Sequence, residues 1–215
     1  MNKTVEAYIE SLVPARPSLL LEMEQFAKAN DIPIMELVGI EALIQIMRVQ
    51  QPKKILEIGT AIGYSALRMA HALPEANIVS IERDEERFEM AKEYIKRMGY
   101  TDRIVVLKGD ALEQAENTGA MGPFDAIFID AAKGQYTKFF EIYSKQLADT
   151  GCIYSDNVLF KGLVAEAEIE HKRTRSLVAK IKGYNEWLMN HREYHTSILP
   201  VGDGLAVSKK RGENQ

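Results

Sequence analysis

Cysteine is nearly absent from this chain of 215 residues, and no uninterrupted apolar run approaches the length of a membrane span. Cys152 is the single cysteine, so the sequence excludes an intrachain disulfide and a zinc site built on several thiolates. A membrane-spanning helix needs about 18 apolar residues or more. Residues 1–10 lack an apolar stretch and contain acids, so we expect no signal peptide. These absences predict a cytoplasmic protein without a membrane segment.

Charge of one sign does not dominate the chain either. The net charge is −4, which argues against a protein that binds nucleic acid over its whole surface. The distribution is uneven, because residues 158–215 contain ten Lys or Arg against seven Asp or Glu. This basic region is compatible with a polyanionic partner. The simpler interpretation is a solvated helix followed by a lysine-rich tail.

The hydrophobic pattern changes once along the chain. In residues 1–50, apolar residues recur at helical spacing, interrupted by Pro14, Pro17 and Pro33. From residue 53 onward, short apolar runs alternate with helical stretches. The length and the 46% hydrophobic content fit a single domain. We therefore expect one domain over residues 1–215, with a helical N-terminal cap over 1–50 and an α/β core over 53–215.

Five short apolar runs separated by helical stretches predict parallel strands covered on both faces by helices. These runs are Ile55–Ile58, Ile78–Ile81, Ile104–Leu107, Ala126–Ile129 and Cys152–Tyr154. Two further runs, His195–Val201 and Leu205–Ser208, flank Gly202-Asp203-Gly204, a combination typical of an antiparallel hairpin. The prediction is a seven-stranded, mostly parallel sheet. Such sheets bind ligands at the carboxyl ends of their strands.

The first strand runs into a glycine-containing turn, Glu57–Ser65, that suits a ligand contact. Gly59 and Gly63 allow a sharp turn and a close approach of the ligand. Ala61 stands where a dinucleotide-binding motif has its second glycine, and no Gly-Lys-Ser/Thr follows, so neither a dinucleotide nor a P-loop phosphate site is indicated. The Glu57 carboxylate would repel phosphate but attract an ammonium or sulfonium group. The alternative is an ordinary tight turn.

Acidic residues also follow the second and third strands. Glu82 lies at the distance from Gly59 at which an acid meets ribose hydroxyls, and a carboxylate can accept both hydrogen bonds of a vicinal diol. Asp110, followed by Ala111, could meet an adenine amino group. For Asp84 and Asp110 the strong alternative is a helix N-cap. Three acids at successive strand ends favour a nucleoside pocket.

The fourth and fifth strands end in a set of hard oxygen donors. Asp130 follows one strand, and Asp156 and Asn157 follow the next. Two carboxylates and an amide without neighbouring His or Cys suit Mg²⁺, Mn²⁺ or Ca²⁺ rather than zinc. Lys133 lies three residues after Asp130, where an amine could take a proton from a substrate hydroxyl. The alternative is that these acids cap the following helices.

Together these motifs resemble the metal-dependent class I S-adenosylmethionine O-methyltransferases of the catechol and caffeoyl-CoA type. The resemblance implies a Rossmann-like methyltransferase fold, S-adenosylmethionine as the cofactor, and a homodimer. It implies Lys133 as the base, and Asp130 as a catalytic, cofactor-binding and metal-binding residue with Asp156 and Asn157. The implied cofactor contacts are Glu57, Gly59, Thr60, Gly63, Tyr64, Ser65, Glu82, Asp110 and Ala111.

A narrower resemblance is to the bacterial tRNA 5-hydroxyuridine methyltransferases, which make 5-methoxyuridine at the wobble position. The segments that carry it are Pro14–Pro17, Ile32–Met35, Asp130–Tyr136, Asp156–Ala165, Asn185–His191 and Pro200–Lys210. This resemblance implies that Met35 and Ser65 contact the cofactor and that the tRNA anticodon is the substrate. The alternative substrate is a small catechol-like phenol, because catechol and 5-hydroxyuridine both offer two adjacent oxygens to a metal.

Several other residues have two interpretations. Tyr136 and Phe160 could stack on a flat substrate or simply pack in the interior. Trp187 is expected in the core rather than in a base-stacking surface, and basic residues after 158 could contact RNA phosphates or solvent. A dinucleotide-dependent dehydrogenase is disfavoured by Ala61. A protein that only senses nucleosides would not need Lys133 beside three oxygen donors.

Overall fold

The structure, a computed structural model, describes residues 3–212. Its helices are α1 (Lys3–Leu12), α2 (Ser18–Ala29), α3 (Leu37–Gln50), α4 (Tyr64–Ala72), α5 (Glu85–Met98), α6 (Ala115–Gly119), α7 (Tyr136–Tyr143) and α8 (Lys172–Met189). Its strands are β1 (Lys54–Ile58), β2 (Asn77–Glu82), β3 (Ile104–Lys108), β4 (Phe124–Ile129), β5 (Leu147–Ser155), β6 (Tyr194–Leu199) and β7 (Leu205–Lys210). Short 3-10 turns occupy Lys133–Gln135, Ser144–Gln146 and Phe160–Ala165.

The seven strands form one sheet in the order β3-β2-β1-β4-β5-β7-β6. Strands β1 to β5 pair in parallel, whereas β7 runs antiparallel to both β5 and β6. The chain order reverses between β1 and β4, which lie side by side at the centre. Ligands bind at such a reversal in open parallel sheets, so this topology directs attention to the ends of β1 and β4.

Alternate residues of the strands belong to two separate hydrophobic clusters. One cluster contains Ile55 and Ile78 of the sheet together with residues of α2, α3, α4 and α5. The other contains Leu56 and Val79 together with residues of α7 and α8. Because successive side chains of a strand point to opposite faces, this division shows that helices cover both faces of the sheet. The first cluster includes residues from both the predicted cap and the predicted core.

Capping residues set the position of α5, the helix that follows β2. The Asp84 carboxylate accepts the backbone N–H of Arg87 at 3.0 Å, which satisfies one of the free donors at the helix start. Gly99 ends the helix with φ of 75°, a conformation that favours glycine. The N-cap interpretation of Asp84 is therefore confirmed. Glu82, two residues before this N-cap, lies at the end of β2, on the side of the predicted ligand pocket.

The predicted fold class is confirmed, including the antiparallel carboxyl-terminal pair and the helices on both faces. One strand begins earlier than predicted, because β5 extends from Leu147 rather than Cys152. The first half of β5 is polar, so the hydrophobic pattern does not show it as a strand. The pairing of β5 with β4 also shifts register between Phe124 and Ala126. Within residues 3–212, no helix is long and apolar enough to cross a membrane. The cytoplasmic location stays a prediction.

Candidate active site

A cavity of about 570 Å³ lies at the carboxyl ends of the parallel strands. Most of the residues predicted from the sequence line it, although they come from six separate segments of the chain. Those lining residues are Met35, Gly59, Thr60, Tyr64, Ser65, Glu82, Asp110, Ala111, Asp130, Lys133, Asp156 and Asn157. Two predicted residues, Glu57 and Gly63, are not among the residues that line it.

The turn after β1 packs tightly against the end of β4. Gly59 has φ of 97°, and a Cβ at this position would overlap the carbonyl oxygen of Asp130. The N–H groups of Gly59 and Thr60 both donate to the Ile81 carbonyl, at 3.1 and 3.2 Å. Ala61 adopts a left-handed φ of 46° despite its Cβ. The turn is thus held by backbone contacts to both neighbouring strands, and Gly59 is required for the close approach to β4.

Gly63 has a structural role at the start of α4. It is the N-cap residue of that helix, with φ of 86°. A Cβ at Gly63 would lie 3.3 Å from the Cβ of Ala91 in α5. Its role is therefore to let the chain enter α4 while α4 and α5 pack closely, rather than to line the cavity.

Glu57 is fully buried beneath the turn. Its carboxylate accepts short hydrogen bonds from the hydroxyls of Ser65 and Ser80, and Thr60 lies at 3.5 Å. Burial raises the pKa of Glu57 to about 7, and the serine hydroxyls only partly offset that effect. Since Thr60 and Ser65 line the cavity, Glu57 orients two lining hydroxyls instead of facing the cavity itself.

Glu82 connects the turn after β1 to the start of α5. One carboxylate oxygen accepts the N–H of Ala61 at 2.8 Å, and the other accepts the N–H of Asp84 at 2.9 Å. Each oxygen keeps a further lone pair, so the carboxylate can still accept hydrogen bonds from a ligand. Asp110 similarly accepts the N–H of Leu112 at 2.9 Å while lining the cavity. Both acids therefore combine a structural bond with exposure to the pocket.

The oxygen donors predicted at β4 and β5 lie in the same cavity. Asp156 is buried, and burial together with the nearby Asp130 carboxylate raises its pKa well above the usual range. Burial likewise raises the pKa of Asp130, whereas the cationic Lys133 lowers it. Two desolvated carboxylates that repel each other, with the Asn157 amide beside them, suit a divalent cation, which would relieve the repulsion. Within residues 3–212, no three His, Cys, Asp or Glu side chains form a metal-binding cluster, and this set contains only two.

Comparisons with known proteins show the family of this chain. The family model described as O-methyltransferase matches residues 11–211. A catechol O-methyltransferase from Niastella koreensis is 36% identical over 168 residues, which cover 74% of this chain and 73% of that protein. This chain belongs to the O-methyltransferase family.

Two solved structures place the fold of this O-methyltransferase among its relatives. The methyltransferase PaMTH1 of Podospora anserina, bound to S-adenosylhomocysteine (SAH), is 26% identical with a TM-score of 0.86, covering 98% of this chain and 95% of that one. An O-methyltransferase of Bacillus cereus in complex with SAH is 27% identical with a TM-score of 0.82, covering 97% of each chain. The enzyme is accordingly an S-adenosylmethionine-dependent O-methyltransferase.

The structure distinguishes the two aromatic residues for which the sequence left open stacking on a substrate or packing in the interior. Tyr136 is buried, and its hydroxyl donates to the carbonyl of Asp156 at 3.0 Å, so it packs behind the site. Phe160 lines the cavity and is the one available to a substrate ring. Trp187 packs edge-on against Phe140 with ring centroids 5.1 Å apart, as expected for a core residue.

Sequence reasoning missed two features of the O-methyltransferase site. Asp203, predicted only as part of a hairpin turn, lines the cavity, and its charge raises the pKa of Asp130 and Asp156. The turn lies at this edge because β7 runs antiparallel to β5. The sequence contained a signal, because Asp203 stands between two glycines of a predicted hairpin turn. Once the strand order is known, this turn lies at the same sheet edge as Asp130 and Asp156.

The second missed feature is a polar network that joins the helical cap to the turn after β1. The hydroxyl of Tyr64 donates to Glu24 of α2 at 2.6 Å and accepts a bond from Arg68 at 2.6 Å. Arg68, which is buried, also forms an ion pair with Glu41 of α3. Glu24 pairs in addition with Arg16 at 2.7 Å. Since Tyr64 lines the cavity, the network fixes part of the cavity wall through residues of the helical cap.

Proposed function

We propose that this O-methyltransferase methylates a hydroxyl that has a second oxygen beside it, using a divalent cation held by Asp130, Asp156 and Asn157. The observation that carries the proposal is the convergence of these three donors and Lys133 in one cavity with Gly59, Glu82 and Asp110. The bound cation would orient the two substrate oxygens and stabilise developing negative charge on the hydroxyl.

The chain's own residues supply positioning and proton transfer. The amine of Lys133 takes the hydroxyl proton at Nζ, and the oxygen bonds to the methyl carbon as the carbon–sulfur bond breaks, leaving S-adenosylhomocysteine. Glu82 accepts hydrogen bonds from the ribose hydroxyls, and Asp110 accepts one from the adenine amino group. The remaining predicted cofactor contacts are Met35, Thr60, Tyr64, Ser65 and Ala111, while Glu57 and Gly63 act through the residues they position. Correct placement of the two reactants lowers the barrier to transfer.

The metal proposal is tested with Asp156→Ala and the matched exposed control Asp102→Ala. We expect Asp156→Ala to lose Mn²⁺ binding measured by electron paramagnetic resonance, and to lower kcat at least about 100-fold, since even indirect partners of metal ligands cost 10- to 100-fold. Cofactor affinity should stay within a few-fold of the unchanged protein. Full activity in the presence of a chelator would contradict the proposal.

For the substrate, we propose 5-hydroxyuridine at the wobble position of tRNA. The narrower resemblance described above supports it, and so do one lysine that lines the cavity and one that lies beside the turn after β4. Lys161 lines the cavity, and the amine of Lys180 lies 3.5 Å from the position of a Cβ on Gly134. Within residues 3–212, neither lysine side chain forms an ion pair. Both are therefore available to phosphates.

A small phenol is the second candidate substrate. The Niastella koreensis relative is named a catechol O-methyltransferase, and other relatives are named for caffeoyl-CoA or flavonoids. A cavity of about 570 Å³ is also within the range of small-molecule sites.

The two candidates differ in one measurement. Nucleoside mass spectrometry of tRNA from cells with and without this protein should show loss of 5-methoxyuridine and accumulation of 5-hydroxyuridine. Unchanged tRNA, combined with methylation of catechol by the pure protein, would favour the phenol. The homodimer implied by the family resemblance is tested separately by light scattering.

A further inference from the structure

The turn between β6 and β7 holds the segment that follows β5. The Asp203 carboxylate accepts the N–H of Lys161 at 2.9 Å. The Asp203 carbonyl accepts the N–H groups of Leu159 and Phe160 at 2.8 and 3.2 Å, and the Gly204 carbonyl accepts that of Val158 at 3.1 Å. Four consecutive N–H groups therefore donate to two residues of one turn.

The held segment has a backbone conformation that needs support. Asn157, Phe160 and Lys161 have φ values of 57°, 46° and 55°. Left-handed conformations are costly for residues with a Cβ, and they persist only where surrounding contacts determine them. The hydrogen bonds that the segment donates to the turn are contacts of this kind.

The packing of the turn leaves no room for it to shift away. A Cβ on Gly204 would lie 2.7 Å from the backbone nitrogen of Leu159. On the other side, a Cβ on Gly202 would lie 3.2 Å from the Cα of Gly39 in α3. The turn is thus fixed between α3 and the segment after β5, so it can serve as a rigid support.

The side chains carried by this segment face the cavity. Asn157, Phe160 and Lys161 all line it, as does Asp203 itself. We propose that Asp203 is a positioning residue, whose carboxylate fixes the backbone of Lys161 and, together with the carbonyls of the turn, orients the donor amide of Asn157 and the substrate contacts of Phe160 and Lys161. The catalytic consequence rests on the proposed function, whereas the holding of the backbone does not.

A competing role for Asp203 is direct action through its negative charge, because it lies close enough to Asp130 and Asp156 to raise their pKa. Two substitutions separate the roles. Asp203→Asn removes the charge but keeps an oxygen that can accept the Lys161 N–H. Asp203→Ala removes both the charge and the acceptor.

Hydrogen exchange of the 158–162 amides provides a readout that does not depend on activity. We expect the Lys161 amide to exchange at least about tenfold faster in Asp203→Ala, because it loses its hydrogen bond to a charged group, and to exchange at a near-normal rate in Asp203→Asn. Asp84→Ala is the matched control, because it removes a carboxylate that accepts a backbone N–H elsewhere. It should leave the 158–162 amides unchanged.

Methyl transfer is then compared in the same variants. We expect kcat/KM to fall at least tenfold in Asp203→Ala and less than about threefold in Asp203→Asn, with SAH affinity of both variants near that of the unchanged protein as evidence of folding. If Asp203→Ala folds poorly, Asp203→Leu takes its place, because leucine has a similar branched shape and no acceptor.

Unchanged exchange in Asp203→Ala overturns the proposal, and so does an equal loss of activity in the Asn and Ala variants. If the unchanged protein methylates no oxygen substrate, the proposed function fails, and the exchange comparison alone still decides the holding role.

Discussion

Glu57 is the residue at which pH should act most measurably on stability. It is fully buried, and burial raises its pKa to about 7 from the ordinary 4.5. The perturbation we suggest is Glu57→Gln, which keeps the size and one of the two acceptor oxygens but cannot ionise. The comparison of the two proteins across pH isolates the ionisation of this one group.

The sign and magnitude follow from proton linkage. Because the folded protein holds the Glu57 proton more tightly than the unfolded chain, the free energy of unfolding falls as pH rises from 4.5 towards 7. At about 1.4 kcal/mol for each pH unit between these two values, the loss is about 3 kcal/mol. The stability that a neutral Glu57 contributes is fully present below pH 4.5.

Urea unfolding at several pH values between about 4 and 8 measures the effect. The free energy of unfolding of the unchanged protein minus that of Glu57→Gln should decrease by about 3 kcal/mol across this range. The exposed Glu75→Gln serves as the control and should show no such trend. A difference that stays constant with pH would refute the reasoning, since it would mean that Glu57 ionises in the folded protein as it does in water.

Three further predictions concern the turn, the cofactor and the substrate. Gly59→Ala should lower stability by about 3 kcal/mol or more, the sum of backbone strain and overlap with Asp130, whereas Gly99→Ala, with nothing within 4 Å, should cost only about 1–2 kcal/mol in thermal unfolding. Glu82→Ala should weaken S-adenosylmethionine binding about 10- to 100-fold by calorimetry, more than Glu82→Gln does; equal affinity would remove the ribose assignment. Lys180→Ala should reduce the slope of log binding constant against log salt concentration for tRNA by about 0.7. Lys53→Ala, at the opposite sheet edge, should leave that slope unchanged.

Much of the fold could be predicted because its physical basis is local. Continuous apolar runs such as Ile78–Ile81 identify buried parallel strands, and acids directly after them identify the functional edge. This reasoning brought Glu82, Asp110, Asp130 and Asp156 correctly to one cavity.

The orientation of the Glu57 side chain was not predicted from the sequence. Its neighbours Leu56 and Ile58 both point into the cluster beneath α7 and α8, so alternation places Glu57 on the opposite face, beneath α4. Treating it as part of the turn rather than as a strand residue concealed that orientation. Asp203 and the Arg68 ion pair depend on contacts between distant segments, which spacing along the chain does not contain.

The burial of Arg68 has a consequence for any attempt to isolate the α/β portion. A chain beginning at residue 53 would retain this guanidinium and lose both Glu24 and Glu41. The truncation would also expose to water the apolar side chains of the cluster that α2 and α3 share with α4, at about 1.5–3 kcal/mol for each large side chain, and the total is a large part of the stability of an ordinary domain. We therefore propose that residues 1–50 and 53–215 fold as one unit. Such a fragment should stay unfolded until a peptide spanning 1–50 is added back.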